Sequence, residues 1–540
     1  MNKIYLITPA LPYANGKIHI GHLLEHIQAN IMTRAMRMKN KDILYICGAD
    51  SHGTAIELQA EKLNISPELF IRNIIKSHKK SFNNFGIIFD GGYGATHTQS
   101  NKNHVLKIFN ELNKIKLISQ IKTKNFFDKL KKRFLSDRMI IGKCPTCITS
   151  KQYGDNCIKC GAIYKSIDLL NPRSSLTNTI PIIKKSNHYF FNLPKCINII
   201  IKWFSKNNVL QIKVKNSLLY WFKEGLKKWD ISRDYPYFGF NIPSEKKKFF
   251  YVWLDAPIGY ISLTDIASQQ INRSYKDYWL NKNAHIIHFI GKDIIYFHTL
   301  FWPTILISSK YNTPNNIFVH GMLTLNSKKM SKSNGFFILA DTFADNINPE
   351  ALRYYFASKI SNEISDIDFN FQHFINKINT DLVNKSINLI SRTMTLINKN
   401  YKSFISDIDY INIDINKIKE IINLCYNMYI KNHISEAIFY ALKISDIGNK
   451  YLQLYKPWIH TDKSHQQLST GLWLGKICIG LLKPIMPEMV IKLENMLNLK
   501  PIKFNNIINL FDINIQINKY TNLFERIKIE SCNNLINKNI

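Results

Sequence analysis

The chain has 540 residues, of which 72 are Lys or Arg and 39 are Asp or Glu, so its formal net charge is +33. This length exceeds what a single hydrophobic core supports, so we expect two to four domains, and nine cysteines, an odd number, argue against a disulfide framework. The sequence contains no long uncharged apolar run, which argues against a membrane protein, and its positive excess favours a nucleic-acid partner. A visible bias towards Lys, Ile and Asn also contributes to the charge, so the charge supports RNA binding without proving it.

The chain opens with a predicted strand, a glycine-containing turn and an amphipathic helix. The strand covers residues 4–7 and the turn ends at Gly16; no signal peptide precedes them, so we expect a cytoplasmic protein. The helix is predicted from apolar residues at the spacing of one buried face, namely Leu24, Ile27, Ile31 and Ala35. This order of elements favours a phosphate site, because free backbone N–H groups and the helix dipole attract anions at a helix start.

The first motif, His19-Ile20-Gly21-His22, lies at that helix start. Its two imidazoles are three residues apart, so they lie on the same side of the first turn, where both can donate hydrogen bonds to one phosphate. The pattern indicates a nucleotide-handling enzyme. Taken alone, a His-x-x-His pair is more often a solvated surface pair or half of a metal site.

Further strands predict an α/β fold with a parallel sheet. The apolar run 43–47 is followed by Asp50, a carboxylate just past a strand end, where α/β sheets bind their ligands. Similar apolar runs resume later in the chain, at 249–254, 285–290 and 317–320. The stretch from about 117 to 230 is basic, cysteine-bearing and irregular, so we expect a parallel sheet that is interrupted by an insertion.

From Pro349 onwards the apolar pattern becomes helical. The clearest stripe consists of Val383, Ile387, Ile390, Met394 and Ile397. Similar stripes recur to about residue 497, and no strand alternation competes with them, which predicts an all-helical C-terminal domain. The last forty residues, rich in Asn, Ile and Lys, support no firm prediction.

Four cysteines form two C-x-x-C knuckles nine residues apart, and these are Cys144, Cys147, Cys157 and Cys160. Each knuckle can place two thiolates on one ion, and two knuckles complete a tetrahedral structural zinc site with no open position. The alternatives are a redox pair, which would need only one C-x-x-C, and four unrelated buried cysteines, which would not share this spacing. One structural zinc ion is therefore predicted, and its binding should supply much of the folding energy of a small lobe.

The second motif, Lys329-Met-Ser-Lys332-Ser, follows the first by about three hundred residues. By itself such a stretch is, by default, a flexible basic loop. In this order and at this separation, however, the two motifs resemble the two signatures of class I aminoacyl-tRNA synthetases.

Longer segments narrow the resemblance to bacterial methionyl-tRNA synthetases of the type with a four-cysteine zinc knuckle. They occur in the family's order, at 10–16, 229–233, 251–260 and 291–298, and the match runs to about residue 500. The resemblance implies a Rossmann-type parallel-sheet catalytic domain, split by a zinc-binding insertion and followed by an all-α anticodon-binding helical bundle. The implied division is catalytic domain 1–116 and 231–325, insertion 117–230, signature loop and linking subdomain 326–380, and anticodon-binding domain 381–540.

The activity implied by the resemblance has two steps. ATP activates L-methionine to methionyl-adenylate, and the acyl group is then transferred to the 3′ end of tRNA(Met), both initiator and elongator. His19 and His22 would steady the phosphates, and Gly21 would let the adenine approach the backbone. Lys332, helped by Lys329, would close over the pyrophosphate, with Mg²⁺ accompanying ATP. The resemblance also implies that Asp293 faces the nucleotide.

The methionine pocket should be aromatic with one weak polar contact to sulfur, because the side chain is long, flexible and polarisable. The resemblance places Asp50 at the α-ammonium group, and Tyr260 and His298 can offer the polar contact. The other residues that it places around the side chain are Ala10, Leu11, Tyr13, Trp253, Pro257 and Ile294. Without the surrounding motifs, Trp253 and Tyr260 would be interpreted as ordinary core aromatics.

Three residues of the helical region match positions that read the CAU anticodon in the family. Asn388 and Arg392 lie four apart, about opposite the apolar stripe, so both should face solvent. Trp458 follows a Lys-Pro turn that could leave its ring accessible for stacking an unpaired base. The alternatives are a solvated helix face for Asn388 and Arg392 and a buried bundle residue for Trp458.

Little sequence follows the bundle, so we expect the extra C-terminal oligonucleotide-binding domain of longer relatives to be absent and the protein to be a monomer. The insertion is small for a second hydrolytic site, so no separate editing domain is expected.

Two alternative functions stay open. The first is a class I synthetase for another amino acid, such as cysteine or valine, although cysteine would call for a catalytic zinc. The second is a non-catalytic RNA-binding protein that keeps the synthetase fold but has lost the activity. The two intact motifs argue against the second.

Overall fold

A computed structural model describes residues 3–136, 139–154, 157, 159–160, 162, 164–205, 209–243, 245–326, 328–329, 337–361, 363–511 and 515–537, without the side chains of 328–329 and 536–537. The first part of the chain alternates strands and helices, as the sequence predicts. Its elements are β1 (Ile4–Pro9), α1 (Leu23–Arg37), β2 (Asp42–Tyr45), β3 (Gly48–Ala49), α2 (Thr54–Lys62), α3 (Pro67–Asn84), β4 (Gly94–Ala95) and α4 (Gln99–Lys114).

The next part of the chain is not irregular, and that expectation was wrong. A long antiparallel ribbon pairs Ile118 with Phe191 at one end and Phe127 with Ile182 at the other, and two helices follow it. The ribbon was missed because its strands are rich in Lys, Asn and Ser and show little apolar alternation. The elements are β5 (Ile118–Asp128), β6 (Arg133–Phe134), β7 (Ile140–Lys143), β8 (Gln152–Tyr153), β9 (Leu170–Ser174), β10 (Ile182–Phe191), α5 (Ile197–Phe204), α6 (Ile212–Glu224) and β11 (Trp229–Asp230).

The α/β pattern then resumes and completes the central sheet. The elements are β12 (Ser232–Asp234), β13 (Lys248–Phe250), α7 (Val252–Gln269), α8 (Lys276–Trp279), β14 (Ala284–Gly291), α9 (Trp302–Ser308) and β15 (Asn316–His320). The strand order is β15-β14-β1-β2, and all three pairings are parallel. The carboxyl ends of these strands therefore meet at one edge, which is where parallel α/β sheets bind ligands.

The first helix is buried on nearly all sides. Helix α1 packs against β1, β2 and β14 of the sheet, and its predicted apolar face is fully buried. Its N-terminal end follows the first motif at the carboxyl edge of the sheet, so the sheet and the helix together fix the position of the histidine pair.

The remaining chain is mainly helical. Its elements are β16 (Leu323–Leu325), β17 (Lys328–Lys329), α10 (Ala340–Asn346), α11 (Pro349–Lys359), β18 (Ile367–Phe369), α12 (Phe371–Ile378), a π-helical turn (Asn379–Ile387), α13 (Asn388–Asn400), α14 (Ile415–Ile430), α15 (Ile434–Tyr455), α16 (Ser464–Leu481), α17 (Pro487–Met496) and α18 (Ile529–Asn537). The predicted stripe is buried from Ile387 to Ile397, whereas Val383 is half-buried. Among the described helices, none combines the length and the apolar character that crossing a bilayer requires.

The helical bundle and the α/β part are joined by buried contacts. Arg353 of α11 is 1% exposed and donates to the backbone carbonyls of Phe85, Pro484 and Ile485. Burial lowers the pKa of Arg353 to about 9, which leaves it charged at neutral pH. The last residues also return to the α/β part, because the Phe504 amide donates to the Met38 carbonyl.

Candidate functional site

The two histidines of the first motif stack on one another. Their ring centroids are 3.6 Å apart at an interplanar angle of 24°. The backbone amide of His19 donates to Nδ1 of His22, and that of Gly21 donates to Nδ1 of His19. When neutral, each ring therefore carries its proton on Nε2, from which it can donate to an anion. The geometry confirms that the two imidazoles lie on the same side of the turn.

A cavity of about 770 Å³ lies directly above this pair, at the carboxyl edge of the sheet. Lys332 lies outside the described residues, as does the side chain of Lys329. The predicted residues that line the cavity are Ala10, Leu11, Tyr13, His19, Gly21, His22, Asp50, Trp253, Asp293 and Ile294.

A second cavity of about 740 Å³ adjoins the first. The predicted residues in its wall are Leu11, Asp50, Trp253, Pro257, Tyr260, Asp293, Ile294 and His298. Ala10 and Tyr13 line only the first cavity, and the residues common to both walls are Leu11, Asp50, Trp253, Asp293 and Ile294. The two cavities therefore meet at a junction that contains Asp50, which is half-buried and whose Oδ1 is fully buried.

Tyr260 and His298 form a hydrogen-bonded pair at the inner end of the second cavity. His298 Nδ1 lies 3.1 Å from the Ile294 carbonyl, which can only accept, so Nδ1 carries the proton. Burial lowers the pKa of His298 to about 4, so the ring is neutral and its Nε2 accepts from the Tyr260 hydroxyl at 3.1 Å. The surrounding wall is apolar, which suits a thioether side chain.

Asp50 has one carboxylate oxygen that is buried and has no hydrogen-bond partner among the described residues. Burial and the nearby carboxylate of Asp255 raise the pKa of Asp50 well above its usual value. A buried anion without a cation is costly, and a positively charged ligand at the junction would relieve that cost. The site therefore favours an ammonium group next to Asp50.

The four cysteines of the two knuckles come together. Their Sγ atoms all lie within 4.8 Å of one another, with 3.8 Å between Cys144 and Cys160 and 3.5 Å between Cys147 and Cys157. A tetrahedral ion with metal–sulfur bonds of about 2.3 Å requires sulfur atoms about 3.8 Å apart. Backbone amides also donate to Sγ of Cys144 and Cys157, which stabilises thiolates. This cluster can hold a metal ion.

Comparisons with known proteins agree with this geometry. The family model described as "tRNA synthetases class I (M)" matches residues 5–394. A methionine–tRNA ligase of Vesicomyosocius okutanii is 42% identical over 98% of this chain and 98% of the relative, and one of Buchnera aphidicola is 45% identical over 91% of each. The chain belongs to the methionine–tRNA ligase family of class I tRNA synthetases.

The relatives differ in length. The methionine–tRNA ligase of Francisella tularensis is 41% identical over 99% of this chain but 80% of the relative. The solved methionyl-tRNA synthetase of Mycobacterium tuberculosis, in complex with methionyl-adenylate, has a TM-score of 0.80 at 20% identity and covers 97% of this chain and 100% of that structure. This likeness shows the fold: an α/β parallel-sheet part with a four-cysteine insertion, and a helical part.

In this member of the methionine–tRNA ligase family, the bundle brings two of its predicted residues together. The Arg392 guanidinium lies 5.5 Å from the centre of the Trp458 ring, and its Nη2 lies 3.4 Å from Oδ1 of Asn449. Trp458 is 39% exposed and Asn388 is also exposed, so the buried alternative for Trp458 is excluded. Arg392 is half-buried, and its Nε has no hydrogen-bond partner among the described residues.

Some residues at the site were not predicted. A buried hydrogen bond joins Nδ1 of His52 to the Asp255 carboxylate, and Nε2 of His52 lies 2.8 Å from Nδ1 of His97. Asp255 could have been noticed as an acidic residue within an apolar helix, α7. The Arg233 guanidinium, whose carbon lies 3.5 Å from the centre of the Tyr251 ring, lines the first cavity, and the sequence carried no signal for that contact.

Proposed function

We propose that this chain is a methionine–tRNA ligase that activates L-methionine with ATP and transfers the methionyl group to the 3′ end of initiator and elongator tRNA(Met). The observation that carries the proposal is the junction of the two cavities. One cavity holds the histidine pair and suits a triphosphate, and the other is apolar and suits a thioether. With its ammonium group bound by Asp50 at the junction, the amino acid would place its carboxylate next to the α-phosphate.

The nucleotide is held by positioning and electrostatics, with no protein nucleophile. His19 and His22 donate from Nε2 to the phosphates, and Gly21 allows the adenine to approach the backbone. Asp293 faces the nucleotide. Lys332, with help from Lys329, neutralises the charge that builds on the pyrophosphate. Mg²⁺ bound to phosphate oxygens and water would supply further charge neutralisation.

The amino acid is held by its two ends. Asp50 binds the α-ammonium group, and the apolar wall around Tyr260 and His298 takes the side chain. The Tyr260 hydroxyl donates its hydrogen bond to His298, so the methionine sulfur would contact two side chains that are already hydrogen-bonded to each other. The other residues of the proposed pocket are Ala10, Leu11, Tyr13, Trp253, Pro257 and Ile294.

The four cysteines are proposed to bind one structural zinc ion. Cys157→Ser is expected to abolish the binding of one zinc ion per chain and to expose β7, β8 and β9 to amide hydrogen exchange. The reason is that structural zinc contributes on the order of 10 kcal/mol to the folding of such lobes. Mass spectrometry of the metal content and hydrogen exchange measure the two effects. Cys196→Ala, which removes a buried thiol outside the cluster, should keep one zinc per chain. Full zinc content in Cys157→Ser would contradict the assignment.

The bundle is proposed to read the anticodon through Asn388, Arg392 and Trp458. Trp458→Ala is expected to lower kcat/KM for tRNA charging by about 10- to 100-fold, since stacking on an unpaired base contributes roughly 1–3 kcal/mol. ATP–pyrophosphate exchange should change by less than about twofold. Phe439→Ala is the control, because Phe439 is 57% exposed on the same bundle. An equal loss in both assays would indicate a structural role for Trp458.

Other properties belong to the same proposal. The division into residues 1–116, 117–230, 231–325, 326–380 and 381–540 is proposed as the domain organisation. The protein is also proposed to be a cytoplasmic monomer. Light scattering, which measures molecular mass in solution, tests the monomeric state.

The activity is tested by charging. Purified, zinc-loaded protein with ATP, Mg²⁺ and labelled methionine should transfer label to a tRNA carrying a CAU anticodon, and the label should be released by mild base as an ester. A tRNA without its 3′-terminal adenosine is the matched control. If adenylate forms but neither tRNA becomes labelled, the function would be restricted to methionine activation.

A further inference from the structure

The second cavity extends well beyond the side-chain pocket. Its outer part, which we name the outer chamber, is formed by Trp221, Glu224, Lys227, Trp229 and Tyr296. None of these residues belongs to the proposed methionine or ATP sites. All but Tyr296 come from the end of the insertion, from the last turn of α6 to the start of β11.

The aromatic rings of the outer chamber form one continuous cluster. Trp221 packs edge-on against Tyr296 with 4.7 Å between ring centroids, and Trp229 lies 5.4 Å from Tyr296. Trp229 also lies 5.3 Å from Trp253, which is 47% exposed and lines both cavities. The cluster therefore leads from the outer mouth to the junction beside Asp50.

Such a surface suits an unpaired nucleotide. Aromatic side chains stack on nucleobases, and exposed cations beside them bind the phosphate backbone. Lys227 and Glu224 are both exposed at the chamber, so a cation for phosphate and an acceptor for an exocyclic amino group are present together. The first cavity already serves ATP in the proposed function, and the inner end of the second serves the thioether. The outer chamber is the part of the second cavity to which the proposed function assigns no ligand.

We propose that the outer chamber binds the 3′-terminal adenosine of tRNA and directs its ribose to the junction. This inference rests on the proposed function. The adenine stacks on the wall of the chamber that Trp221 lines, and Lys227 faces the preceding phosphate. At the junction, a ribose hydroxyl oxygen bonds to the methionyl carbonyl carbon while the bond from that carbon to the phosphate oxygen breaks. AMP leaves with the electron pair, and the hydroxyl proton passes to solvent.

The test separates transfer from activation. In Trp221→Ala, the single-turnover rate of transfer from preformed methionyl-adenylate to subsaturating tRNA is expected to fall about tenfold or more, because one stacked base is lost. Methionine-dependent ATP–pyrophosphate exchange should be unchanged. Trp221→Phe should restore most of the transfer rate. Tyr220→Ala is the matched control, since Tyr220 is the neighbouring residue on α6, is 60% exposed and does not line the cavity.

A double-mutant cycle identifies the contacted group. A tRNA whose terminal nucleotide lacks its base should transfer slowly with the unaltered protein, and Trp221→Ala should slow it no further. Additive losses would overturn the proposal, as would an equal loss of exchange and transfer, which would make Trp221 structural. Absence of methionine-dependent exchange in the unaltered protein would instead overturn the proposed function, so the two failures are distinguishable.

Discussion

Asp50→Asn is expected to lower kcat/KM for methionine in ATP–pyrophosphate exchange by about 10²- to 10³-fold. The reason is that breaking a buried ion pair costs roughly 3–5 kcal/mol, and the ammonium group of methionine would lose the carboxylate that is proposed to bind it. The substitution keeps the size of the side chain, so the cavity should keep its shape. Steady-state exchange at varied methionine concentration measures the effect.

The same carboxylate predicts a pH dependence. Because burial raises the pKa of Asp50 in the free protein, its charged form is depleted as the pH falls through that raised pKa, and methionine affinity should fall with it. In Asp50→Asn the affinity should be low and lose this dependence. Asp277→Asn, which alters a carboxylate that lines neither cavity, should behave like the unaltered protein. Normal kinetics in Asp50→Asn would remove Asp50 from the site.

Lys332→Ala is expected to lower kcat for methionine activation by about 10²- to 10³-fold, the usual cost of removing one group that stabilises transition-state charge. Methionine binding, measured by equilibrium dialysis without ATP, should be unchanged, because the proposed contact is with pyrophosphate. Lys328→Ala removes the same charge outside the second motif and serves as the control. Full activation by Lys332→Ala would refute its assigned role.

Features set by local spacing could be predicted from the sequence. The histidine pair depends on two residues three apart at a helix start, and the structure stacks their rings. The knuckles depend on Cys144 and Cys147 and on a second such pair, and their sulfur atoms converge. The stripe from Ile387 to Ile397 follows from helical periodicity.

Features set by distant contacts could not be predicted in this way. His52 and Asp255 are about two hundred residues apart and meet only because α7 packs beside the strand that ends near Asp50. Trp221 belongs to a helix whose sequence gives no reason to place it beside Tyr296. The antiparallel ribbon was missed because its strands show little apolar alternation, and their pairing joins residues about 60 apart in the chain.

The most direct measurement is amino-acid-dependent ATP–pyrophosphate exchange by the purified, zinc-loaded protein, without tRNA and across all twenty amino acids. We expect exchange with methionine alone, because the junction requires an ammonium group and the inner pocket suits an unbranched thioether. Exchange with cysteine, valine or another amino acid instead of methionine would contradict the assigned specificity. No exchange from a folded, zinc-containing protein would contradict catalysis itself and favour a non-catalytic RNA-binding protein.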